Sequence, residues 1–272
     1  MGFAKPRQEA EEILATLLSV RRIDLYLDSN RLVSNEDNSA FVDKIIRRGR
    51  HEPLQYITGR VDFCGLPFSV SPGVFIPRPE TELIVEEINQ LKINPQSILD
   101  LCTGSGALAI ALAKRFPLAS ITAIDCSKIA LDTARLNQQR HHAYQITFSE
   151  GDLFSPLTPQ KDIYDLIVCN PPYIAEEDWQ TMDPEVLEYE PPLALFSEDC
   201  GLAHLKSVLR KAPPFLSPLG VLILEIGMGQ SVRLIDFVKN NTPLKASVVK
   251  DFAGIDRILI CQSSNASPSR GG

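Results

Sequence analysis

The chain has 272 residues, of which 44% are hydrophobic and 22% are charged, as in ordinary globular proteins. Its length predicts one large domain with a smaller one beside it. The formal net charge of -7 argues against general nucleic-acid binding, which needs a basic surface. The six cysteines are scattered without metal-finger or redox spacing, so no metal site is expected. No apolar run reaches the ~20 residues that span a bilayer, so we expect a cytoplasmic protein with no membrane partner.

Residues 1–59 predict a small N-terminal helical domain. Pro6 can begin a helix, and apolar residues recur at helical spacing over 10–18 and again over 41–46. Two roles stay open for this domain, a packing module or a module that recognises the substrate. The basic cluster at 44–51 is either a solvated face or a contact for an acidic partner or RNA.

Residues 60–82 predict a linker between two domains. Residues 61–70 alternate weakly in polarity around a Gly-Leu-Pro turn, which predicts a short β-hairpin. The run from Pro72 to Glu82 contains three prolines, which forbid regular secondary structure there. Thr81 is expected to cap the helix that begins near Glu82.

Residues 83–262 alternate between short apolar strands and helices. Strands are predicted over 97–101, 121–125, 145–149, 166–169 and 220–226, with helices over 107–115 and 129–139. This alternation predicts parallel strands in a doubly wound α/β sheet. Two further strands, at 246–249 and 257–261, have no helix signal between them and predict an antiparallel edge hairpin. The Ser- and Gly-rich residues 263–272 predict a disordered tail.

A glycine-rich loop, Asp100-Leu-Cys-Thr-Gly-Ser-Gly106, follows the first strand of this sheet and predicts a cofactor site. Glycines let the backbone turn sharply and a ligand approach closely, beyond the carboxyl ends of the strands. The spacing of Gly104, Gly106 and Ala109 also satisfies the dinucleotide fingerprint, so a nicotinamide-binding oxidoreductase stays as an alternative. Asp100 favours a sulfonium cofactor over a pyrophosphate, which its charge would repel.

Two more acidic residues follow the next two strands. Asp125 lies 21 residues after Gly104 and can accept hydrogen bonds from ribose hydroxyls. Asp152 can receive an adenine amino group, with Leu153 against the ring. The alternative for Asp152 is a helix or turn cap.

The fourth strand runs directly into Asn170-Pro171-Pro172-Tyr173. The Asn170 side-chain oxygen and the Pro171 carbonyl can hold both hydrogens of one NH2 group, and Tyr173 offers a flat face for stacking. An amide nitrogen is a poor nucleophile because its lone pair is delocalised. Two acceptors can orient that lone pair, so catalysis would be positioning and electrostatics. We predict that Asn170, Pro171 and Tyr173 are catalytic; a structural turn is the alternative.

Together these loops resemble those of class I amino-methyltransferases, which act on adenine, guanine or glutamine. A longer set of motifs is similar to the HemK/PrmC family of release factor glutamine methyltransferases. That set comprises Glu52–Gly59, Phe63-x-Gly65, Pro72–Glu82, Leu224–Gly227 with Gln230, and Asp251-x-x-Gly254-x-x-Arg257. The matches run from about residue 50 to 260.

The resemblance implies a Rossmann-like seven-stranded methyltransferase domain after an N-terminal helical domain and a hairpin linker. It implies S-adenosylmethionine as the cofactor, with S-adenosylhomocysteine as the product, and class I peptide-chain release factors as partners, methylated on the glutamine of their Gly-Gly-Gln loop. The implied cofactor-binding residues are Cys102, Thr103, Gly104, Ser105, Gly106, Asp125, Leu153 and Asn170. The implied substrate-binding residues are Asn170, Pro171, Pro172 and Tyr173, with Phe75 and Arg78 as candidate pocket walls. Phe75 has a core plug as its alternative.

The sequence departs from the family pattern in two places. Residues 197–201 read Ser-Glu-Asp-Cys-Gly where the family usually has Gly-Gly-x-Asp-Gly, which leaves the loop conformation open. Leu153 stands where some relatives have an aromatic residue. The main alternative function is an amino-methyltransferase for adenine or guanine of DNA or ribosomal RNA. The acidic charge balance and the lack of a target-recognition domain count against it, so no stable nucleic-acid binding is expected.

Overall fold

The computed structural model describes residues 3–263, which form a helical region, a hairpin and a mixed sheet. The strands are β1 (Arg60–Phe63), β2 (Leu66–Ser69), β3 (Ser97–Leu101), β4 (Ser120–Asp125), β5 (Ile146–Glu150), β6 (Tyr164–Cys169), β7 (Leu216–Glu225), β8 (Leu244–Lys250) and β9 (Asp256–Ser263). The helices are α1 (Pro6–Leu17), α2 (Asp24–Leu27), α3 (Asn35–Gly49), α4 (Leu54–Thr58), α5 (Glu82–Gln90), α6 (Ala107–Arg115), α7 (Lys128–His141), α8 (Pro184–Tyr189), α9 (Glu198–Gly201), α10 (Ala203–Lys211) and α11 (Ser231–Asn241). Within residues 3–263, no helix is long and apolar enough to cross a membrane.

Helices α1 to α4 form the N-terminal helical region that the sequence predicts. α1 begins at Pro6, whose fixed φ suits the first position of a helix. Ser34 caps α3, because its hydroxyl oxygen accepts the amide of Asp37 at 3.0 Å. The predicted helical region is confirmed, whereas its boundary as a separate domain stays a prediction.

The basic cluster at 44–51 is largely engaged in contacts within the chain. Lys44 donates to a backbone carbonyl of α4 at 2.7 Å. Arg48 is only 8% exposed and pairs with Glu9 at 2.7 Å and with Glu185 at 2.6 Å. Glu185 belongs to α8, so this ion pair joins the N-terminal helical region to the segment between β6 and β7. The cluster therefore is not a free basic face.

The predicted hairpin is present as the antiparallel pair β1–β2. Its turn residues, Cys64 and Gly65, have φ values of 49° and 72°, and a two-residue turn that matches strand twist requires such positive values. The hairpin is held against α7 by Asn137, which accepts the amide of Ser69 at 2.8 Å and donates to its carbonyl at 3.0 Å. The hairpin is therefore packed against a helix that flanks the large sheet.

Thr81 does not cap α5, so that prediction is wrong. Pro79 has already begun a 3-10 turn over Pro79–Thr81, and Thr81 itself has helical φ and ψ values of -67° and -23°. A capping residue must lie outside the helical run, with an extended backbone, for its side chain to reach the first amides. The Thr81 hydroxyl instead donates to Glu225, a residue 144 positions away, at 2.6 Å.

The large sheet has seven strands in the order β5-β4-β3-β6-β7-β9-β8. Strands β3 to β7 run parallel to one another, and β9 is antiparallel to both β7 and β8. The predicted parallel sheet with an antiparallel hairpin at its edge is confirmed. The chain leaves β3 toward β4 on one side and later returns to β6 on the other. Loops after β3 and β6 therefore flank the switch point where α/β sheets bind ligands.

Some predicted details of the sheet differ from the structure. The connection from β5 to β6, residues 151–163, consists of turns and bends. β7 begins at Leu216 and not at 220, because Leu216 pairs with Tyr164 before an irregularity in the register. Ser263, assigned to the tail, is the last residue of β9, and the rest of the predicted tail lies outside the described residues.

Two apolar layers sandwich the sheet, because successive strand residues point to opposite faces. Ile98 of β3 packs in one cluster with α5, α6 and the hairpin, whereas its neighbour Leu99 packs in another with α10 and α11. Both side chains are fully buried. With both faces covered, the carboxyl edge of the parallel strands is left to carry a ligand site.

Candidate active site

A cavity of about 670 Å³ opens at the carboxyl ends of β3, β4 and β6. Its size lies in the range of small-molecule sites. Nearly all residues predicted from the sequence line it: Phe75, Arg78, Asp100, Cys102, Thr103, Gly104, Ser105, Asp125, Asp152, Leu153, Asn170, Pro171, Pro172 and Tyr173. The exception is Gly106, which is not among the lining residues. A Cβ at Gly106 would lie 3.0 Å from that of Ala134, so this glycine allows α6 and α7 to pack closely.

The glycine-rich loop is fixed by backbone contacts to β4. The amide of Thr103 donates to the carbonyl of Ile124 at 3.1 Å, and the amide of Gly104 donates to Asp125 Oδ2 at 2.8 Å. Gly104 has a φ of 57°, and a Cβ built on it would meet no atom within 4 Å. The loop therefore presents bare backbone to the cavity, as close approach of a ligand requires.

Asp100 is a buried carboxyl group, 1% exposed, at the base of the cavity. It accepts the hydroxyl of Thr103 at 2.6 Å. Burial raises the pKa of Asp100 to about 7, and the negative charge of Asp125 adds to the effect. Among residues 3–263, Asp100 forms no ion pair with a basic side chain. A cationic group in the cavity would stabilise its ionised form.

Ser105, which also lines the cavity, carries an unsatisfied polar group. Its hydroxyl is buried and has no hydrogen-bond partner among the described residues. Buried hydroxyl groups without partners are rare in native proteins, and a bound ligand is one explanation for such a group. The lining residues thus have the chemistry of a site for a polar, cationic ligand.

Asp125 bridges the glycine-rich loop and the start of α7. Oδ2 accepts the Gly104 amide and Oδ1 accepts the Ser127 amide, both at 2.8 Å. Burial raises the pKa of Asp125, while these amide bonds oppose that effect. Each carboxylate oxygen retains a further lone pair for a ligand hydroxyl. The predicted ribose contact is compatible with this arrangement and stays a prediction.

Asp152 and Leu153 lie next to each other in the cavity wall. Asp152 is exposed, whereas Leu153 is 5% exposed with a φ of 48°. The turn there is closed by the backbone carbonyl of Asp152, which accepts the Ser155 amide at 2.9 Å. The cap alternative for the Asp152 carboxylate therefore finds no support, and the adenine contact stays a prediction.

The loop after β6 brings its four predicted residues to the opposite wall of the cavity. Pro171 and Pro172 are buried, and Asn170 and Tyr173 are partly exposed. Asn170 Nδ2 donates to the hydroxyl oxygen of Thr81 at 3.0 Å. The Tyr173 hydroxyl donates to Glu225 at 2.9 Å. Burial and the charge of Glu225 raise the pKa of Tyr173 well above its ordinary range, so this phenol stays protonated.

Three residues that hold this loop had no functional role predicted from the sequence: Thr81, Glu225 and Gln230. Gln230 Nε2 donates to the carbonyl of Tyr173 at 2.8 Å, and its oxygen accepts the amide of Gly227 at the same distance. Glu225 is 1% exposed. For Glu225 the sequence did contain a signal, because it is a charged residue at the end of an apolar strand and glutamate is seldom buried without partners.

Comparison with known proteins identifies the family. Residues 66–187 match the family model of the methyltransferase small domain, and residues 1–59 match that of the PrmC N-terminal domain. The release factor glutamine methyltransferase of Geobacter sulfurreducens is 39% identical over 258 residues, covering 95% of this chain and 90% of that protein. That of Streptococcus pneumoniae is 38% identical over 260 residues, covering 93% and 91%. This chain belongs to the release factor glutamine methyltransferase family.

Solved structures of lower identity support the same fold. A methyltransferase from Pyrococcus furiosus matches with a TM-score of 0.56 at 16% identity, covering 85% of this chain and 98% of that one. The T. thermophilus 16S rRNA N2 G1207 methyltransferase in complex with AdoMet and guanosine matches with a TM-score of 0.54 at 18% identity, covering 75% and 49%. The predicted class I methyltransferase fold is thereby confirmed.

The proline-rich segment of this family member forms another wall of the cavity. Phe75 lines the cavity, while its neighbours Val74 and Ile76 are buried. The Arg78 guanidinium lies 4.9 Å from the centre of the Phe75 ring and pairs with Glu190. Phe75 therefore is a wall residue and not a core plug; contact with a substrate stays a prediction for both it and Arg78.

The residues at 197–201 that depart from the family pattern are compatible with the backbone conformation of the loop. Ser197, in place of a glycine, has an extended φ of -140°, which any residue can adopt. The left-handed values fall on Asp199, Cys200 and Gly201, at 56°, 52° and 79°. Gly201 is retained where it matters most, because a Cβ there would lie 2.2 Å from the Tyr173 carbonyl oxygen.

The helical region supports the remaining wall of the cavity. Met182, Val186 and Leu193 line this wall, and α8 lies among them. Besides the Arg48–Glu185 ion pair, the Tyr189 hydroxyl at the end of α8 donates to the carbonyl of Arg50 at 2.7 Å. A packing role for the helical region is therefore visible in the structure, and recognition of a substrate by it stays a prediction.

Proposed function

We propose that this protein transfers a methyl group from S-adenosylmethionine to the side-chain amide nitrogen of the glutamine in the Gly-Gly-Gln motif of class I peptide-chain release factors. Membership of the family supports the activity and the substrate class. The observation that carries the proposal is that the Asn170–Tyr173 loop and the glycine-rich loop border one cavity. The methylation would modulate translation termination, and we therefore expect a cytoplasmic enzyme.

The cofactor would lie along the glycine-rich loop. When bound, S-adenosylmethionine supplies an electrophilic methyl group whose sulfur leaves as a neutral thioether. Asp100 would counter the positive charge, which explains a buried carboxyl group with a pKa of about 7 and no basic partner among the described residues. Asp125 would accept ribose hydroxyls, and Asp152 with Leu153 would contact the adenine. Thr103, Gly104 and the unpaired Ser105 hydroxyl would complete this wall.

The glutamine amide would be held by the loop after β6. The Asn170 side-chain oxygen and the Pro171 carbonyl would each accept one hydrogen of the NH2 group. Tyr173 and Pro172 would form the walls around the planar amide. With both hydrogens held by Asn170 and Pro171, the nitrogen lone pair would be directed out of the amide plane. The nitrogen would take the methyl group that the bound donor supplies, with the donor sulfur as the leaving group, and would then lose its extra proton to solvent.

Mass spectrometry of a release factor incubated with enzyme and S-adenosylmethionine tests the proposal. We expect one added methyl group on the glutamine of the Gly-Gly-Gln motif, and none on a release factor whose glutamine is replaced by alanine. Asn170→Ala should strongly reduce the transfer, because the amide loses one of its two acceptors. Transfer to DNA or ribosomal RNA in parallel reactions, with none to the release factor, would favour the nucleic-acid alternative.

A further inference from the structure

Hydrogen bonds from distant parts of the sequence meet at the wall that carries Asn170, where Thr81 also borders the cavity. The Thr81 hydroxyl donates to Glu225 Oε2 at 2.6 Å, and Asn170 Nδ2 donates to Thr81 Oγ1 at 3.0 Å. The Tyr173 hydroxyl donates to the other oxygen of Glu225 at 2.9 Å. Thr81 and Glu225 are 5% and 1% exposed, so water hardly competes for these bonds.

The direction of these bonds follows from the number of protons available. A threonine hydroxyl has one proton to donate and two lone pairs with which to accept. A carboxylate can only accept, so Glu225 takes the single Thr81 proton. Thr81 can then face Asn170 only as an acceptor. The NH2 end of the Asn170 amide must therefore point to Thr81, which leaves the oxygen end for the cavity.

The orientation of the Asn170 amide decides what the cavity can bind. A substrate NH2 group brings two hydrogens and needs acceptors opposite them. If the Asn170 amide were turned around, its own NH2 would face those hydrogens, and the interaction would be repulsive. The two orientations have almost the same shape, so packing alone does not choose between them. A partner with a fixed hydrogen-bond direction is needed.

The surroundings of Glu225 determine how readily its carboxyl group ionises and accepts hydrogen bonds. Burial raises the pKa of Glu225, and the charge of Glu80 acts in the same direction. The hydrogen bonds from Thr81 and Tyr173 and the positive charge of Arg257 lower it. Burial is the largest of these effects, so the pKa of Glu225 lies above its ordinary value, although two hydroxyl donors and one guanidinium favour the carboxylate.

We propose that Thr81 and Glu225 are positioning residues for methyl transfer, which hold the Asn170 amide with its oxygen toward the substrate. The proposal rests on the proposed function, since it concerns how the enzyme binds an NH2 group. It assigns Thr81 and Glu225 no contact with the substrate. A purely structural role, in which the bonds only stabilise the fold, is the alternative to be tested.

Thr81→Val and Thr81→Ser form a matched pair for this test. Valine keeps the shape of threonine but has no hydroxyl, whereas serine keeps the hydroxyl. Thr133→Val, at a buried threonine of α7 outside the cavity lining, controls for the loss of a buried hydroxyl. The kcat and KM for release factor methylation are measured for each full-length variant. Donor affinity by titration calorimetry and Tm are measured on the same preparations.

We expect Thr81→Val to lower kcat by about 10- to 100-fold, the scale of a misplaced reacting group, with donor affinity within about 2-fold of native. Thr81→Ser should restore kcat to within about 3-fold of native, and Thr133→Val should leave it unchanged. If Thr81→Val does not fold, Thr81→Ala is measured in its place with the same expectation.

Native kcat in the folded Thr81→Val variant would overturn the positioning role. An equal loss of kcat in Thr81→Ser would do so as well, because the hydroxyl would then not be what matters. Both results leave the proposed function standing, since the native enzyme still methylates the release factor. A native enzyme that binds the donor but transfers no methyl group to the release factor would overturn both proposals.

Discussion

Replacing Asp100 with asparagine should stabilise the ligand-free protein and weaken its binding of the methyl donor. Asp100 is buried without a basic partner among the described residues, so its ionised form is costly until a cation binds nearby. Asparagine has nearly the same shape and retains an oxygen that can accept the Thr103 hydroxyl, now bound to Asp100 at 2.6 Å. The variant therefore removes the charge with little change in packing.

The expected size of the effect follows from the pKa of Asp100, which burial raises from 3.8 to about 7. Each pKa unit corresponds to about 1.36 kcal/mol, so the ionised carboxylate costs at most about 4 kcal/mol. The native state binds this proton more tightly than the unfolded chain does. The contribution of the Asp100 proton to the free energy of unfolding is therefore complete below pH 3.8 and is lost as the pH rises through about 7. Asparagine carries no such dependence.

Thermal unfolding of the native protein and Asp100→Asn near pH 8 and near pH 5 measures this effect. Near pH 8 the variant should unfold at a higher temperature, by about 2–4 °C for each kcal/mol gained. Near pH 5 the gain should shrink, because Asp100 is then mostly protonated in the native state. Calorimetric titration with S-adenosylmethionine near pH 8 should show an affinity at least about 10-fold weaker in the variant, because the counter-charge is gone.

Asp165→Asn is a control with the opposite sign. Burial raises the pKa of Asp165, but hydrogen bonds from the Gln96 and Ser97 amides outweigh it and hold the pKa below its ordinary value. The ionised Asp165 carboxylate stabilises the folded protein at neutral pH, and this stabilisation is lost as the pH falls. Asp165→Asn should therefore lower the Tm near pH 8. Our account of Asp100 fails if Asp100→Asn lowers the Tm near pH 8, or if its effect is the same at both pH values.

Two further variants test how the cavity walls are held. Gly201→Ala should lower stability by at least about 2 kcal/mol and reduce methyl transfer, because the new Cβ would lie 2.2 Å from the Tyr173 carbonyl oxygen; a native urea midpoint would refute this. Arg48→Ala should lower the free energy of unfolding by about 3 kcal/mol in urea titration, since it leaves Glu9 and Glu185 partly buried without their cation. Arg7→Ala removes an ion pair at the surface and should cost clearly less stability, so an equal loss in the two arginine variants would contradict the structural role of the Arg48 ion pairs.

The sequence by itself determined the sheet and the convergence of its two loops. Apolar strands that alternate with helices must run parallel, and their carboxyl ends share one edge. This is why the order of the residues was enough to place the loop at 100–106 and the loop at 170–173 in one site. The hairpin was equally readable, because turn geometry is a local property of the backbone, but its turn is Cys64-Gly65 and not the predicted Gly-Leu-Pro, since Leu66 and Pro67 already pair in β2.

Only the tertiary structure decided how the site is held in place. A local rule made Thr81 a helix cap, but Pro79 begins the helical run earlier, and the freed hydroxyl bonds to Glu225 across 144 residues. Likewise, Gly106 had the pattern of a ligand contact, yet it serves the packing of α6 against α7. Such contacts join segments far apart in the chain. They depend on where whole elements pack, and neither residue spacing nor local propensity encodes that arrangement.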